Sequence, residues 1–498
     1  MKVLIVAPRY KPFGQFYELP LGLAYLSAYL KTKGVHVDFL NLNQCPFDEV
    51  LIKMLSEADI VCTGGLSVHY HQVKTIIDMA KCINPAIKTI VGGGLISATA
   101  GIVMRALNAD VGIIGEGEIT LFEVIKAIEE KRKISTIPNV IANEDGVYVI
   151  DTTSYRTEID NIDTLPFPDY EGLGIEQYLD KQLCGDEHYL YPFDNPRGMP
   201  IISSRSCPFN CTFCFHPIGQ KYRQRSLDNL FTEIDYLVER YRINILSILD
   251  ELFSLDHARI KEFCRRIKKY NLRWMTQMRV DSVTEEIIGL LKESGCFQIS
   301  FGVESASNKV LESMNKKISI EQIGQALEWS YNAGIGIQGN FIFGDKAETP
   351  ATAKETLDWW LAHKKYALNL TYIIPYPGSG LYNYAVIKGI IKDETKYLTN
   401  NCPFVKITPS FPEVSSMLES YRNQHNHLPA INQVSQKVGY DPIRGELYQV
   451  TAVCPHCKKQ ETYKNLYWGS TGISFLSGRG YRIGCRDCNQ RFDLTKFN

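Results

Sequence analysis

Three cysteines near the middle of the chain are spaced so that they could bind one metal centre. Cys207, Cys211 and Cys214 follow the pattern CxxxCxxC in a loop directly after PIISSR, which is predicted to be the first strand of its domain. Three thiolates at this spacing can ligate three irons of a 4Fe-4S cluster and leave the fourth iron open. An open coordination position is what catalysis at a metal requires. The alternative is a zinc site in which His216 supplies the fourth ligand.

Two further cysteine pairs lie near the end of the chain. Cys454 and Cys457 form one CxxC motif, Cys485 and Cys488 form a second, and 27 residues separate the two motifs. Paired CxxC motifs are typical of tetrahedral thiolate sites, because each short loop supplies two ligands. The pairs therefore predict a zinc ribbon, with rubredoxin-like iron as the alternative.

Composition limits the classes of protein that could carry these motifs. The 498 residues include 54 Lys plus Arg and 55 Asp plus Glu, which gives a net charge of −1. This balance excludes a protein that coats nucleic acid through an overall positive charge. The opening apolar run is too short for a signal peptide, and the longest uncharged stretch contains Pro and Gly. We therefore expect a cytoplasmic protein without a transmembrane segment. The seven cysteines outside the motifs are expected to be buried apolar residues.

The first 137 residues alternate five apolar, β-branched runs with five amphipathic stretches. This alternation predicts an α/β fold with a doubly wound, Rossmann-like parallel sheet. Ligands of such sheets bind at the carboxyl ends of the strands. Three consecutive strand ends are rich in glycine, which predicts a large bound cofactor. A dinucleotide is disfavoured because GxGxxG does not follow the first strand. The residues at these ends are Gly64, Gly65 and Ser67, then Gly92, Gly93 and Gly94, then Gly115, Glu116, Gly117 and Glu118.

The rest of the chain divides into four segments. Residues 138–196 contain a hairpin signal and Pro-rich stretches, and are expected to be a hairpin and linker. Residues 197–385 hold six strand–helix units, which predict a partial (β/α)6 barrel with its chemistry at the carboxyl ends of the strands. Residues 386–448 show a helix near 413–424 and no recognisable chemistry. Residues 449–498 are expected to form the zinc ribbon.

The segment SRSCPFNCTFC resembles the cluster motif of the radical S-adenosylmethionine (SAM) superfamily. The preceding domain resembles the cobalamin-binding domain of the cobalamin-dependent members of that superfamily. The likeness extends over about residues 1–385 and includes PLGLAYLSAYLK, GIIGEGE, DTLPFPDY, LDELFSLD, QMRVD, FGVES and IIPYPGSGLY. No DxHxxG segment is present. The resemblance therefore implies cobalamin with its own base detached and no protein histidine on cobalt.

The resemblance also implies the cofactors and their sites. The loop cysteines would hold a 4Fe-4S cluster whose open iron binds SAM, an external donor such as flavodoxin or ferredoxin would supply electrons, and the glycine-rich strand ends would hold cobalamin. Carboxylates suit the hydroxyls or ammonium of SAM, and Arg suits its carboxylate. The residues expected to bind SAM are Phe213, Asp250, Glu251, Arg279, Glu304, Ser305 and Gln338.

The function implied is a radical enzyme that generates a 5′-deoxyadenosyl radical and acts on an unactivated carbon of a small molecule or lipid. Methyl transfer is the expected reaction. One alternative is oxidative cyclisation or rearrangement without methyl transfer. A second is modification of tRNA or protein, because residues 451–498 carry eight basic and three acidic residues with aromatics among them, including Phe475. That composition predicts either contact with a macromolecule or the ribbon's own core.

Overall fold

The computed structural model describes residues 1–45, 48–150, 158–187, 189–424, 428–468 and 481–496. Within these residues the chain forms two α/β units followed by a C-terminal β region, which confirms the predicted fold class. None of the helices in these ranges combines the length and the apolar composition that crossing a membrane requires.

The first unit contains seven strands in one sheet. The strands are β1 Lys2–Ala7, β2 His36–Asn41, β3 Ile60–Gly64, β4 Lys88–Gly92, β5 Val111–Ile113, β6 Val140–Glu144 and β7 Val147–Ile150. The helices are α1 Leu21–Thr32, α2 Asp48–Glu57, α3 Tyr70–Ile83, α4 Gly94–Leu107 and α5 Glu118–Glu129. The sheet order is β2-β1-β3-β4-β5-β6-β7. Strands β1 to β5 are parallel, so their carboxyl ends meet at one edge.

The hairpin predicted within residues 138–196 is part of this sheet. Strand β6 pairs antiparallel with β5, and β7 pairs antiparallel with β6. Asp145 and Gly146 join the two strands with φ of 51° and 87°, the left-handed backbone that a tight hairpin turn needs. The first sheet therefore ends at Ile150 and not at the expected boundary of residue 137.

The second unit begins with two short helices and continues as the barrel. The elements are α6 Tyr170–Leu173, α7 Ile175–Asp180, β8 Gly198–Ile201, β9 Ser204–Arg205, β10 Arg223–Gln224, α8 Leu227–Tyr241, β11 Ile245–Ile248, α9 His257–Ile267, β12 Arg273–Met278, α10 Glu285–Glu293, β13 Cys296–Glu304, α11 Asn308–Ser313, α12 Ile320–Asn332, β14 Gly336–Phe343, α13 Pro350–Ala362, β15 Asn369–Tyr372 and α14 Gly380–Ile387. Six parallel strands form an open sheet in the order β15-β14-β13-β12-β11-β8.

The predicted first barrel strand, PIISSR, is divided in two. Strand β8 stops at Ile201, and β9 pairs antiparallel with β10 outside the barrel. The buried carboxylate of Asp250 accepts hydrogen bonds from the backbone N–H groups of Ser203 and Ser204 at 2.7 and 3.1 Å. These bonds replace the sheet bonds that a continuous strand would make, so the chain turns out of the barrel before the first cysteine.

The C-terminal region contains two helices and two small antiparallel sheets. The elements are α15 Glu394–Thr399, α16 Phe411–Gln424, β16 Ile431–Asp441, β17 Gly445–Val453, β18 Gln460–Leu466, β19 Tyr481–Gly484 and β20 Arg491–Leu494. Helix α16 confirms the helix predicted near 413–424. The β region begins at Ile431, inside the segment that the sequence left unassigned, and not at 449. Tyr463 is fully buried, while Phe475 lies outside the described residues.

The last strands dock against the amino-terminal end of the barrel. The side chains of Gln490 and Arg491 donate to the carbonyl oxygens of Ile335 and Ile337, each at 3.1 Å. These carbonyls lie where β14 begins, at the end of the barrel opposite the cysteine loop. The C-terminal region therefore closes the amino-terminal mouth of the barrel.

Glu348, just beyond the carboxyl end of β14, gives a prediction about pH. It accepts from the N–H of Gly344, and burial raises its pKa to about 8, with the Asp345 charge adding to the shift. Because the folded pKa is raised, this group favours folding below pH 4.5 and opposes it increasingly as the pH rises toward 8. We expect Glu348→Gln, which keeps the acceptor oxygen, to raise the melting temperature by roughly 2–4 °C at pH 8. Thermal unfolding near pH 4 should show no such gain, and an equal gain at both pH values would contradict this assignment.

Candidate functional site

The CxxxCxxC cysteines lie at the carboxyl end of the barrel, where barrel enzymes place their active sites. We call residues 206–216 the cysteine loop. Its backbone is fixed at Thr212, whose N–H donates to the carbonyl of Met314 at 2.9 Å and whose carbonyl accepts from the N–H of Leu381 at 2.6 Å. The loop is therefore held between the segment after α11 and the start of α14.

The surroundings of Cys211 favour the thiolate, the form of cysteine that binds iron, whereas burial raises the pKa of Cys207. The Cys214 thiol donates to Cys211, and this hydrogen bond together with the positive charges of Lys316 and Arg279 lowers the pKa of Cys211. The thiolate is the metal-binding form of cysteine. Three thiols on one loop, one of them already favoured as thiolate, fit the three cysteine ligands of a 4Fe-4S cluster.

His216, the alternative fourth ligand for zinc, has both ring nitrogens engaged elsewhere. Its Nδ1 lies 2.8 Å from Glu251 Oε2, and its Nε2 lies 3.1 Å from the carbonyl oxygen of Phe209. The carboxylate raises the pKa of His216. This arrangement does not favour zinc in the loop. Glu251, one of the expected SAM residues, binds the loop through this histidine.

Two other expected SAM residues lie together beside the cysteine loop. The guanidinium of Arg279 lies 3.6 Å from the ring centroid of Phe209 and donates to the carbonyl oxygen of Lys316 at 2.9 Å. The Lys316 ammonium donates to Glu304 Oε1 at 2.9 Å and lies 5.7 Å from the ring centroid of Phe213. Lys316 is a residue that sequence reasoning missed, because nothing in its spacing distinguishes it from a surface lysine.

Backbone strain occurs on both sides of this cluster. Ser206, which precedes the first cysteine, has φ of 67°, and Glu304, at the end of β13, has φ of 60°. Non-glycine residues rarely adopt this left-handed backbone, and such strain is common at functional sites. The register of β13 with β14 also shifts just before Glu304. The strand end is therefore shaped to place this carboxylate beside the cysteine loop.

The remaining expected SAM residues are placed differently. Asp250 is fully buried, holds the backbone of Ser203 and Ser204 just before the cysteine loop, and has a pKa raised to about 6 by burial. The hydroxyl of Ser305 is bonded to that of Thr356 at 3.1 Å and accepts from the N–H of Ser307. Gln338 is the register partner of Ser300, in the middle of the barrel and not at its carboxyl end. The structure thus brings Arg279, Glu304 and Phe213 together and gives Asp250 and Ser305 other contacts.

A cavity of about 550 Å³ separates the carboxyl edge of the first sheet from the barrel. We call residues 64–67, 92–94 and 115–118 the glycine segments. Nine of the ten residues expected to bind cobalamin line the cavity: Gly64, Gly65, Gly92, Gly93, Gly94, Gly115, Glu116, Gly117 and Glu118. Ser67 does not line it and is buried in the turn that follows β3. The cavity volume lies in the range typical of cofactor sites.

The glycines are needed for this wall to form. A Cβ on Gly64 would lie 2.5 Å from the carbonyl oxygen of Gly92, and a Cβ on Gly93 would lie 2.9 Å from that of Gly65. Gly93 also has φ of 82°, which side-chain-bearing residues rarely adopt. The ends of β3 and β4 therefore pack backbone against backbone and present a smooth surface that fits a large, flat cofactor such as cobalamin.

The two acidic residues of the third glycine segment also connect the two units. Arg205 donates to Glu116 Oε1 at 2.7 Å and to Glu118 Oε1 at 2.6 Å, and Arg223 donates to Glu116 Oε2 at 2.7 Å. Arg205 is 10% exposed, and the other three side chains are less exposed still. This buried network joins the cavity wall to the residues just before the cysteine loop. Sequence reasoning missed the two arginines, because their partners lie about 90 or more residues away.

Among His36, His69 and His71, it is His69 that lines the cavity. Its Nδ1 accepts from the N–H of Leu66 at 3.2 Å, and burial lowers its pKa. The neutral ring therefore carries its proton on Nε2, which is a donor and not a metal ligand. His36 and His71 are exposed. This geometry is consistent with the expectation that no protein histidine binds cobalt.

Comparison with known families matches both units. A model of the radical SAM superfamily matches residues 201–359, and a model of the B12 binding domain matches residues 15–125. The first match spans the cysteine loop and four of the six barrel strands, β11 to β14. The second contains all three glycine segments. The two matches thus coincide with the two parts of the candidate site.

Curated relatives share most of the chain. An uncharacterized methyltransferase of Pyrococcus horikoshii is 29% identical over 381 residues, covering 75% of this chain and 79% of the relative. An anaerobic magnesium-protoporphyrin IX monomethyl ester cyclase of Rubrivivax gelatinosus is 28% identical over 419 residues, covering 80% of this chain and 72% of the relative. Both alignments are long enough to include the two units.

A solved structure confirms the fold. The radical SAM methyltransferase TsrM from Kitasatospora setae, with cobalamin and a [4Fe-4S] cluster bound, superposes with a TM-score of 0.68 at 17% identity over 84% of this chain and 90% of that chain. With a B12 binding domain, a radical SAM domain and a cysteine loop that opens beside the glycine-lined cavity, the chain belongs to the cobalamin-dependent radical SAM enzymes.

Proposed function

We propose that this enzyme is a methyltransferase that uses SAM and cobalamin to methylate an unactivated carbon atom. The observation that carries the proposal is the shared boundary of the two parts of the site. The cavity is walled on one side by the glycine segments and on the other by Ser204, Arg205 and Ser206, which precede Cys207 directly. Relatives described as methyltransferases support the same reaction.

The residues of the chain have distinct roles in this proposal. When bound, the cluster and SAM supply a 5′-deoxyadenosyl radical, and cobalamin supplies the methyl group. Cys207, Cys211 and Cys214 would hold the cluster. The Nε and Nη2 groups of Arg279 hold Asp281 at 2.8 and 2.9 Å, so Arg279 would donate to the SAM carboxylate from Nη1. Glu304 would accept from the hydroxyls or ammonium of SAM. The apolar part of the cavity lining would exclude water from the reacting groups.

The test follows the methyl group on the reconstituted enzyme. Holoenzyme incubated with methyl-labelled SAM should yield labelled methylcobalamin, detected by mass spectrometry, without any knowledge of the substrate. Cobalamin that stays unlabelled while SAM is cleaved would overturn methyl transfer. That result would favour the cyclase or rearrangement chemistry that the relative from Rubrivivax gelatinosus suggests.

We further propose that the C-terminal cysteines bind zinc. The four sulfur atoms of Cys454, Cys457, Cys485 and Cys488 lie within 4.8 Å of one another. Four thiols gathered at this distance suit tetrahedral coordination of Zn²⁺. The site lies at the amino-terminal end of the barrel, away from the cysteine loop, which favours a structural metal over a role in holding a tRNA or protein substrate.

Replacing one zinc ligand should remove zinc from the protein without removing iron. Cys485→Ser is expected to reduce zinc from about one per chain to near zero and to lower the melting temperature, because structural zinc stabilises small β ribbons. The iron content should not change. His456→Gln is the matched control, since the imidazole is bonded to Tyr331 and Arg491 and not to the cysteines. Elemental analysis that finds zinc retained in Cys485→Ser would refute the site.

The electron source is also part of the proposal. The family implies an external one-electron donor of the flavodoxin or ferredoxin type, which would reduce the cluster before SAM is cleaved.

A further inference from the structure

We propose that the interior of the barrel binds a polar, hydrogen-bonding substrate, and that the amide of Asn340 donates to an oxygen atom of that substrate. The inference rests on the proposed function, because it assigns this space to the molecule that is methylated. It narrows the expectation of a small molecule or lipid to a small molecule with amide or hydroxyl groups.

The barrel strands have one apolar face and one polar face. Buried Ile299, Phe301 and Val303 alternate on β13 with partly exposed residues, and the same alternation occurs on β14. The residues on the accessible face of β12 to β15 are Gln277, Ser300, Gly302, Glu304, Gln338, Asn340, Ile342 and Thr371. A parallel sheet covered on both sides is normally apolar on both faces, and a closed barrel is filled with branched aliphatic residues. This barrel instead has a polar, accessible interior, which we call the lumen.

The polar residues of the lumen form a layer at one height. Gln277, Ser300 and Gln338 are register partners on three neighbouring strands. Below them, Ser247 Oγ and Gln298 Oε1 are buried, and neither has a hydrogen-bond partner among the described residues. Buried polar atoms are costly unless a partner satisfies them. A bound polar molecule, alone or through water, would provide such partners. We therefore place Gln338 with the substrate and not with SAM.

The C-terminal region fixes the direction in which Asn340 donates. Arg482, which is fully buried, donates from Nη1 to Asn369 Oδ1 at 2.5 Å, and Asn369 Nδ2 donates to Asn340 Oδ1 at 2.9 Å. Arginine can only donate, so the atom it contacts must be the amide oxygen of Asn369. Because Asn369 accepts from Arg482 through its oxygen, its amide nitrogen must be the group that donates to the oxygen of Asn340. The Asn340 Nδ2 group is left as a donor on the accessible face, and its dipole is strengthened by the chain behind it.

Two charged side chains that belong to the lumen or contact its residues, Glu304 and Arg482, are each paired within the protein and so do not attract a charged substrate. Glu304, the one acidic side chain among the accessible residues of β12 to β15 named above, is paired with Lys316. Arg482 is paired with Asp493 at 3.0 Å. An acyl chain in the lumen would leave the amide and hydroxyl groups of the protein without hydrogen-bond partners. A site built to hydrogen-bond its substrate strongly rejects a ligand that cannot do so.

The test uses ligand-observed NMR on the reconstituted holoenzyme with defined probes at millimolar concentration. Uridine, N-acetylglucosamine and N-acetylglutamine amide represent three sources of amide and hydroxyl groups, and decanoate and indole are the apolar probes. We expect saturation transfer to at least one polar probe and to neither apolar probe. Asn340→Asp, which replaces the donor with an acceptor, should weaken the affinity for the polar probe about tenfold or more. Thr276→Val, on β12 and on the opposite face of the sheet, is the control and should not change binding.

The outcomes separate this inference from the proposed function. Preferential binding of decanoate or indole, no binding of any polar probe, or equal affinity in wild type and Asn340→Asp would each overturn the inference. Labelling of cobalamin from SAM is measured in the same preparations. If labelling succeeds while the probes fail, only the substrate assignment is wrong, whereas failed labelling contradicts methyl transfer itself.

Discussion

The Cys211→Ser variant is expected to lose the iron of the cysteine loop and, with it, reductive cleavage of SAM. Cys211 is the most buried of the three loop cysteines and has the pKa that its neighbours hold below the usual range. Serine is a poor iron ligand at neutral pH, so the cluster would lack one of its three protein ligands. The rate of 5′-deoxyadenosine formation should fall at least about a thousandfold, because the cluster and its ligands act as a unit.

Iron content, the visible spectrum and 5′-deoxyadenosine formation after anaerobic reconstitution would check this expectation. Cobalamin should still bind, since Cys211 does not line the glycine-lined cavity. Cys82→Ser, at an exposed position on α3, is the matched control and should keep its iron and its activity. A Cys211→Ser protein that retains both about four irons per chain and SAM cleavage would show that the loop does not hold the cluster.

The local patterns of the sequence were sufficient for the main architecture. Period-two and helical patterns identify the strands and helices of both α/β units, and the glycine-rich strand ends predict the edge that lines the cavity. These features depend on residues close together in the chain. The cysteine loop was predictable for the same reason, because its three cysteines lie within eight residues.

Features that depend on distant partners could not be predicted in this way. Asp250 has the carboxylate expected of a ligand-binding residue, yet it accepts hydrogen bonds from the backbone N–H groups of Ser203 and Ser204 and fixes the chain just before the cysteine loop. The β hairpin after residue 138 has the pattern of an independent element, and only its pairing with β5 shows that it belongs to the first sheet. Pairing across the fold depends on the tertiary structure and not on a local pattern.

The polar lumen is an intermediate case. Gln298 and Ser300, and likewise Gln338 and Asn340, are spaced by two residues in runs that are otherwise apolar. That period-two signal is present in the sequence, and it marks a strand with one polar face. The sequence alone does not show that the polar face is enclosed by the barrel, because closure depends on the other strands.

The network between the two units leads to the second large effect. We expect Arg205→Ala to destabilise the folded protein by about 3–5 kcal/mol, because it leaves Glu118 without its charge partner and Glu116 with only one of two. Both carboxylates are 6% exposed, so water cannot replace the lost guanidinium. Since Glu116 and Glu118 also line the cavity, the variant should retain less cobalamin as well as melt at a lower temperature.

Differential scanning calorimetry and the cobalamin content of the purified variant would measure both effects. Lys354→Ala removes an exposed ion pair with Asp358 on α13 and should cost no more than about 0.5 kcal/mol. Arg205→Lys keeps the charge but cannot span two carboxylates as the planar guanidinium does, so it should give an intermediate loss. Equal melting temperatures and cobalamin contents for Arg205→Ala and Lys354→Ala would mean that the buried network does not hold the two units together. Melting temperatures that rise in the order Arg205→Ala, Arg205→Lys and wild type would instead identify the geometry of the guanidinium, and not its charge alone, as what couples the glycine-lined cavity to the cysteine loop.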